Sequence, residues 1–226
     1  KVTRDNEFIL PNQNNPLNAG VKLDGFDFEG MTWLYLDGVN ADRPVLSVFE
    51  GDAFMPDMDW LRSQDLVNIA VSNSAEFAAS ARYMNDRSIA GLFTDGRASV
   101  DSTDITMTAD IDLSDMLWIP IKEVKKGETL DGGNHTVSGL AFDGEHAEYY
   151  GIVNKNSGTI KNLIISDSSV TAGNNVALVA GANAGNIENI IVASDASVTS
   201  NGCAGAVAGT NDGSIKDVNT SATVKG

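Results

Sequence analysis

Asp131 and His135, four residues apart in the stretch LDGGNHTVSGL, form the acid–imidazole pair in this chain that would suit proton transfer. A glycosidase would need a second carboxyl about 5–9.5 Å away. A polysaccharide lyase would need its base beside an arginine or a metal. Residues 151–226 hold no arginine, so a groove built there has no guanidinium to clamp an acidic sugar. A structural role for Asp131-Gly-x-x-His135, rather than a catalytic dyad, is therefore expected.

Carboxylates gather at Asp24, Asp27 and Glu29, at Asp52, Asp57 and Asp59, and at Asp110, Asp112 and Asp115. Closely spaced hard oxygens are what Ca²⁺ takes. None of the three groups follows the EF-hand loop, and the Gly-Gly-x-Gly-x-Asp nonapeptide of calcium-binding β-rolls is absent. They read as solvated turn carboxylates. His135 and His146 are eleven residues apart, without the i, i+4 relation of a helical zinc pair. Cys203 is the one cysteine, which leaves no disulfide framework. It shares parity with Val207 and is expected to be a small buried hydrophobe. The sequence thus nominates no catalytic residue, no metal ligand and no cofactor.

A net charge of -16 argues against binding nucleic acid, because a phosphate backbone would be repelled. Residues 151–226 carry five acidic residues against four lysines, so -15 of the total falls on residues 1–150. No stretch reaches the ~18 apolar residues of a membrane-spanning helix, and the opening KVTRDNEF has no apolar core of an export signal. No transmembrane segment and no nucleic-acid partner are expected.

The elements come from an internal repeat. NKNSGTIKNLII from Asn154, GANAGNIENIIV from Gly181 and GTNDGSIKDVNT from Gly209 share Asn-x-Gly-x-Ile-x-Asn/Asp. Ile160, Ile187 and Ile215 are spaced 27 and 28 residues apart, and Val170, Val198 and Val224 follow them. Asparagine and glycine at these positions would break a helical repeat, whereas short β-branched runs between them suit one turn of a parallel β-solenoid. Stacked turns lie about 4.8 Å apart and share one interior, so identical residues form columns. Ile160, Ile187 and Ile215 are the predicted core column. Asn162, Asn189 and Asp217, with Asn156, Asn183 and Asn211, are the predicted structural ladder, side-chain amides bonding from turn to turn. Gly158, Gly185 and Gly213 are expected to take turn conformations barred to residues with a Cβ.

These residues resemble the GLUG repeat of bacterial extracellular proteins, most closely in VALVAGANAGNIENIIV. The upstream segments DITMTADIDLSDMLWIPI and LDGGNHTVSGLAF resemble those that precede such repeats, and the likeness spans about residues 70–226. It implies a parallel β-helix and a secreted or cell-surface setting, notably in Bacteroides-type bacteria, where such repeats are appended to larger proteins. It implies no particular activity.

Upstream, residues 71–86 read as a helix capped by Asn73 or Ser74, with Glu76 closing a capping box and Phe77, Ala78, Ala81 and Met84 on one face. Its expected role is to cover the open end of the solenoid and its strand edge. The solenoid should begin with a strand at Ile105–Leu113. Met31–Leu36 alternates and runs into Asp37-Gly38, a strand and tight turn with Val45–Phe49 as partner, while Asn and Pro make residues 11–18 irregular. The expected organisation is a small β-rich region at 1–70, a capping helix and loop at 71–104, and a solenoid at 105–226 with repeats at about 151–175, 176–202 and 203–226.

The function expected from this is a non-catalytic structural or adhesin-like module at the extracellular or outer-membrane surface. The alternatives are a carbohydrate-binding module, with its sugar site in residues 1–150 where Trp and Tyr occur, and a carbohydrate-active β-helix enzyme. The Ala-rich stretches Val176–Ala180 and Ala204–Ala208 leave small apolar side chains on both faces of one sheet, which suits packing on another domain or subunit or, as the alternative, a thin solenoid that simply tolerates small residues. The uncapped strand edge after the third repeat predicts that the chain continues past Gly226, or that this end self-associates.

Overall fold

In the computed structural model, residues 33–34, 45–46, 56–92, 98–116, 118–144 and 148–226 are described. The chain is mainly β, a parallel solenoid of four turns preceded by a short helical cap. Strands β1 (Trp33–Leu34) and β2 (Val45–Leu46) pair antiparallel, at the places where the two N-terminal strands are expected. The tight turn expected at Asp37-Gly38 and the irregular stretch at 11–18 lie outside the described residues.

The cap comprises α1 (Met58–Arg62), β3 (Asn68–Val71), α2 (Ser74–Asn85), a 3-10 helix at Arg87–Leu92, β4 (Asp104–Met107) and β5 (Ile111–Asp112). Turn 1 follows as β6 (Ile121–Val124), β7 (Thr129–Ser138) and β8 (Ala141–Gly144), and turn 2 as β9 (Val153–Asn156), β10 (Thr159–Ser166) and β11 (Ser169–Ala172). Turn 3 is β12 (Ala180–Asn183), β13 (Asn186–Val192) and β14 (Ser197–Ser200), and turn 4 is β15 (Ala208–Asn211), β16 (Ser214–Thr220) and β17 (Thr223–Lys225).

Strands at equal places in successive turns pair in parallel, making three walls. They are β6-β9-β12-β15, β8-β11-β14-β17, and a central sheet β3-β4-β7-β10-β13-β16 in which β5 also pairs with β7. The central sheet therefore begins inside the cap, before the expected first strand. That strand is split into β4 and β5, both paired with β7.

Register follows the repeat period. Leu130, Ile160, Ile187 and Ile215 pair in sequence, as do Phe142, Val170, Val198 and Val224. Leu130, Ile160 and Ile187 are buried, each worth about 1.5–3 kcal/mol of apolar transfer, while Ile215 in the last turn is 36% exposed. An isolated turn would expose such a row entirely, so the stack is what creates the core.

Helix α2 starts where the sequence says. Asn73 Oδ1 accepts the Glu76 amide at 3.0 Å, and Glu76 Oε2 accepts the Ser72 amide at 2.6 Å. The buried face is wider than expected, adding Ala79, Ser80 and Tyr83 to Phe77, Ala81 and Met84. Phe77 stacks on Trp118 with ring centroids 4.6 Å apart. At its C-terminal end, Asn85 accepts the Lys122 amide at 2.6 Å and donates to Pro120 O at 2.9 Å, covering the edge of β6.

Candidate functional site

The outer face of the central sheet collects most of the polar residues that could do chemistry. On this face Asp131 (β7), Lys161 (β10), Glu188 (β13) and Lys216 (β16) pair in sequence, so charges alternate from turn to turn. Beside them the strands bend through left-handed residues: Asn162 (φ 55°), Asn189 (φ 54°) and Asp217 (φ 53°). Asparagine and aspartate tolerate this region because their short side chains bond locally. Asn189 Nδ2 donates to Asn162 Oδ1 at 2.8 Å, and Asn162 Nδ2 to Asp131 Oδ1 at 2.9 Å. Asn134 (φ 64°) is a member that sequence reading missed; its Oδ1 accepts Asn189 Nδ2 at 3.2 Å.

Asp131 and His135 take different partners. Asp131 Oδ1 accepts the Gly133 amide at 2.9 Å as well as Asn162, and Oδ2 lies 3.3 Å from Lys161 Nζ. Burial pushes its carboxyl upward, but the donors from Gly133 and Asn162, with the Lys161 charge, outweigh it and hold the group below its ordinary value. His135 Nδ1 lies instead 3.4 Å from Asp110 Oδ1. In register, His135 falls in line with Leu163, Ile190 and Val218, so it occupies a place that the other turns give to aliphatic side chains.

A second ladder lies inside. Asn156 and Asn183 are buried, and Asn156 Nδ2 donates to Asn183 Oδ1 at 2.7 Å, which in turn donates from Nδ2 to Asn211 Oδ1 at 2.6 Å. Oδ1 of Asn156 and Oδ1 of Asn183 accept the amides of Gly158 and Gly185, each at 3.2 Å. These side chains act as corner posts between the first wall and the central sheet.

The glycines at those corners serve a different purpose from the one expected. Gly158, Gly185 and Gly213 are not among the positive-φ residues. A Cβ on any of them would come within 3.0 Å of backbone atoms of the turn beneath: Glu128 O and Lys125 O for Gly158, Gly158 O for Gly185, and Gly185 O for Gly213. Close stacking, not a special dihedral, excludes a side chain there.

Three further expectations meet the structure at the surface. Cys203 is exposed rather than buried; its amide donates to Asn174 Oδ1 at 2.9 Å, and only a single bridge residue, Ala204, separates it from the bends before β15. Parity counted back from Val207 does not survive those bends, because alternation holds only along a continuous strand. Val176, Ala177, Leu178, Val179 and Ala180 are all 0% exposed, so this Ala-rich stretch is packing and not a free sheet face. Ala204, Ala206 and Ala208 in the last turn are partly buried against the same core.

The acidic groups hold local structure. Asp57 caps α1 by accepting the Trp60 amide at 2.8 Å, Asp59 pairs with Arg62 at 2.7 Å, and Asp110 accepts the Thr136 amide at 2.8 Å. Hydrogen bonds from Ser114 hold the Asp112 carboxyl below its ordinary value. Asp115 is exposed, while Asp24, Asp27, Glu29, Asp52 and His146 lie outside the described residues. Among the described residues no three His, Cys, Asp or Glu side chains come together as a metal site requires. Of the aromatic rings there, Tyr149 is 45% exposed, whereas Trp118, Tyr83 and Tyr150 are buried.

The chain is 41% identical over 64 residues to halomucin of Haloquadratum walsbyi, a match covering 27% of this chain and 1% of that protein. No family model and no solved structure matches it. No described helix is long and apolar enough to cross a membrane.

Proposed function

We propose that this chain is a non-catalytic module of a secreted or cell-surface protein, a rigid spacer with adhesin-like or docking use. The observation that carries the reading is the occupation of the repeat's polar side chains. Asn156, Asn183 and Asn211 bond to one another, and Asn162, Asn189 and Asp131 do likewise on the outside. Groups held in turn-to-turn bonds stiffen the stack and are not free to move protons. The stretch shared with halomucin, by its name a mucin, supports a surface setting. The GLUG resemblance of the repeats points the same way.

A glycan array run beside a reducing-sugar and unsaturated-product assay tests this. The expected result is no turnover of any polysaccharide. Turnover that Asp131→Ala or His135→Ala abolishes would overturn the reading. Glycan binding without turnover would replace the docking role with carbohydrate recognition, for which Tyr149 is the exposed aromatic to substitute first.

A further inference from the structure

One position of the stack is glycine in three turns and glutamate in the first. Thr129, Thr159, Asn186 and Ser214 pair in sequence, which aligns the residues just before them: Glu128, Gly158, Gly185 and Gly213. A Cβ at the glycines would run into the turn beneath. By the same register, the side chain of Glu128 occupies the space where a turn beneath turn 1 would lie, and the cap fills that space.

There the Glu128 side chain is 1% exposed and fully partnered. Oε1 accepts Arg87 Nη2 and the Thr103 amide, the latter at 3.3 Å, and Oε2 accepts the Lys125 amide at 2.8 Å. Arg87 Nη1 also donates to Thr103 Oγ1 at 2.6 Å and to Val100 O at 3.1 Å, while Thr103 Oγ1 donates to Leu66 O at 2.8 Å. One carboxylate thus gathers the segments around residues 66, 87, 103 and 125.

Side chains also replace the carbonyls that a lower turn would supply. The amides of Thr159, Asn186 and Ser214 donate to the backbone oxygens of Glu128, Gly158 and Gly185, whereas the Thr129 amide donates to Asp104 Oδ1 at 2.7 Å. The amides of Ser157, Ala184 and Asp212 donate to Val124, Asn156 and Asn183, whereas the corresponding Lys125 amide is taken by Glu128 itself. Edge amides left bare would be a template for another strand.

We infer that Glu128 is the stop of the stack: it excludes a further turn, from this chain or a second copy, from the underside of turn 1, and latches the cap there through Arg87. Glu128→Gly restores the column residue and removes both functions. Hydrogen exchange on the full chain should then show the amides of 68–71 and 104–107 losing about tenfold or more in protection, with those of 159–166 and 186–192 unchanged. Cap amides that keep wild-type protection, or equal loss in every turn, would overturn the inference. Arg87→Gln, Glu128→Gln and their double variant decide the matter if the glycine variant does not fold. Each single change strands a buried partner, so the double should protect the cap better than either single; a double as poor as the worse single refutes the latch.

Discussion

Gly185→Ala is the most informative single change in the repeat. The added Cβ would fall within 3.0 Å of the Gly158 oxygen, the Gly158 nitrogen and the Ser157 carbonyl carbon, where 3.4 Å begins ordinary contact. All three are backbone atoms, so no side chain can swing aside. Turns 2 and 3 must part at this corner, stretching the bonds from Ala184 and Gly185 to Asn156 O (2.8 and 3.1 Å) and from Asn186 to Gly158 O (2.8 Å). Three weakened bonds at about 1 kcal/mol each, with ~1–3 kcal/mol of overpacking, give a loss of about 4–6 kcal/mol. Urea denaturation followed by circular dichroism measures it, with Gly91→Ala as control, since nothing lies within 4 Å of a Cβ there. If the glycine were needed only for its dihedral freedom, the loss would be about 1–2 kcal/mol. A loss of about 2 kcal/mol or less, or one no larger than that of the control, would refute the close-stacking account.

Asn183→Ala removes the buried middle rung, leaving Asn156 and Asn211 each short of a partner, and should cost about 2–3 kcal/mol. Asn211→Ala, at the exposed last turn, should cost under about 1 kcal/mol; the reverse order in chemical denaturation would contradict the ladder. Asp131 is held below its ordinary pKa of 3.8, so the folded chain binds that proton less tightly than the unfolded one. Its stabilisation is present above pH 3.8 and lost as the pH falls through the folded value, so Asp131→Asn should make the acid limb of stability against pH shallower. An unchanged limb in urea midpoints taken across that range would count against the hydrogen bonds assigned to it.

The period of the repeat was enough to place whole columns, because parallel stacking converts a sequence offset directly into a neighbour. Ile160 lies against Ile187, and Ile187 against Ile215, for that reason. The N-terminus of α2 was legible too, since Asn73 and Glu76 act within one helical turn. What sequence reading missed depends on which surface a residue meets. A glycine barred from carrying a Cβ looks the same whether a dihedral or a neighbouring strand forbids it. Alanine is selected both by exposure and by tight packing, and Val176–Ala180 belongs to the second case.

The candidate site illustrates the same limit. Between Asp131 and His135 lie three residues, where β10 has the single Asn162 between Lys161 and Leu163, and the register shifts there. Spacing along the chain therefore did not predict that the acid would turn to Lys161 and Asn162 while the imidazole met Asp110. Glu128 was hidden by a similar change of length. Val124 to Thr129 is five steps, while the paired positions Asn156 to Thr159 are three, so turn 1 cannot be aligned with the Asn-x-Gly-x-Ile motif by sequence alone. Only once Thr129 is seen beside Thr159 does the glutamate fall in the glycine column. Three of the acidic residues ahead of the repeats then acquire a structural reason: Asp104, Asp110 and Glu128 are acceptors for edge amides that have no carbonyl of a lower turn to meet. A carboxylate does at the start of this stack what an Asp or Asn side chain does at the start of a helix, and it does so where no repeat exists to announce it.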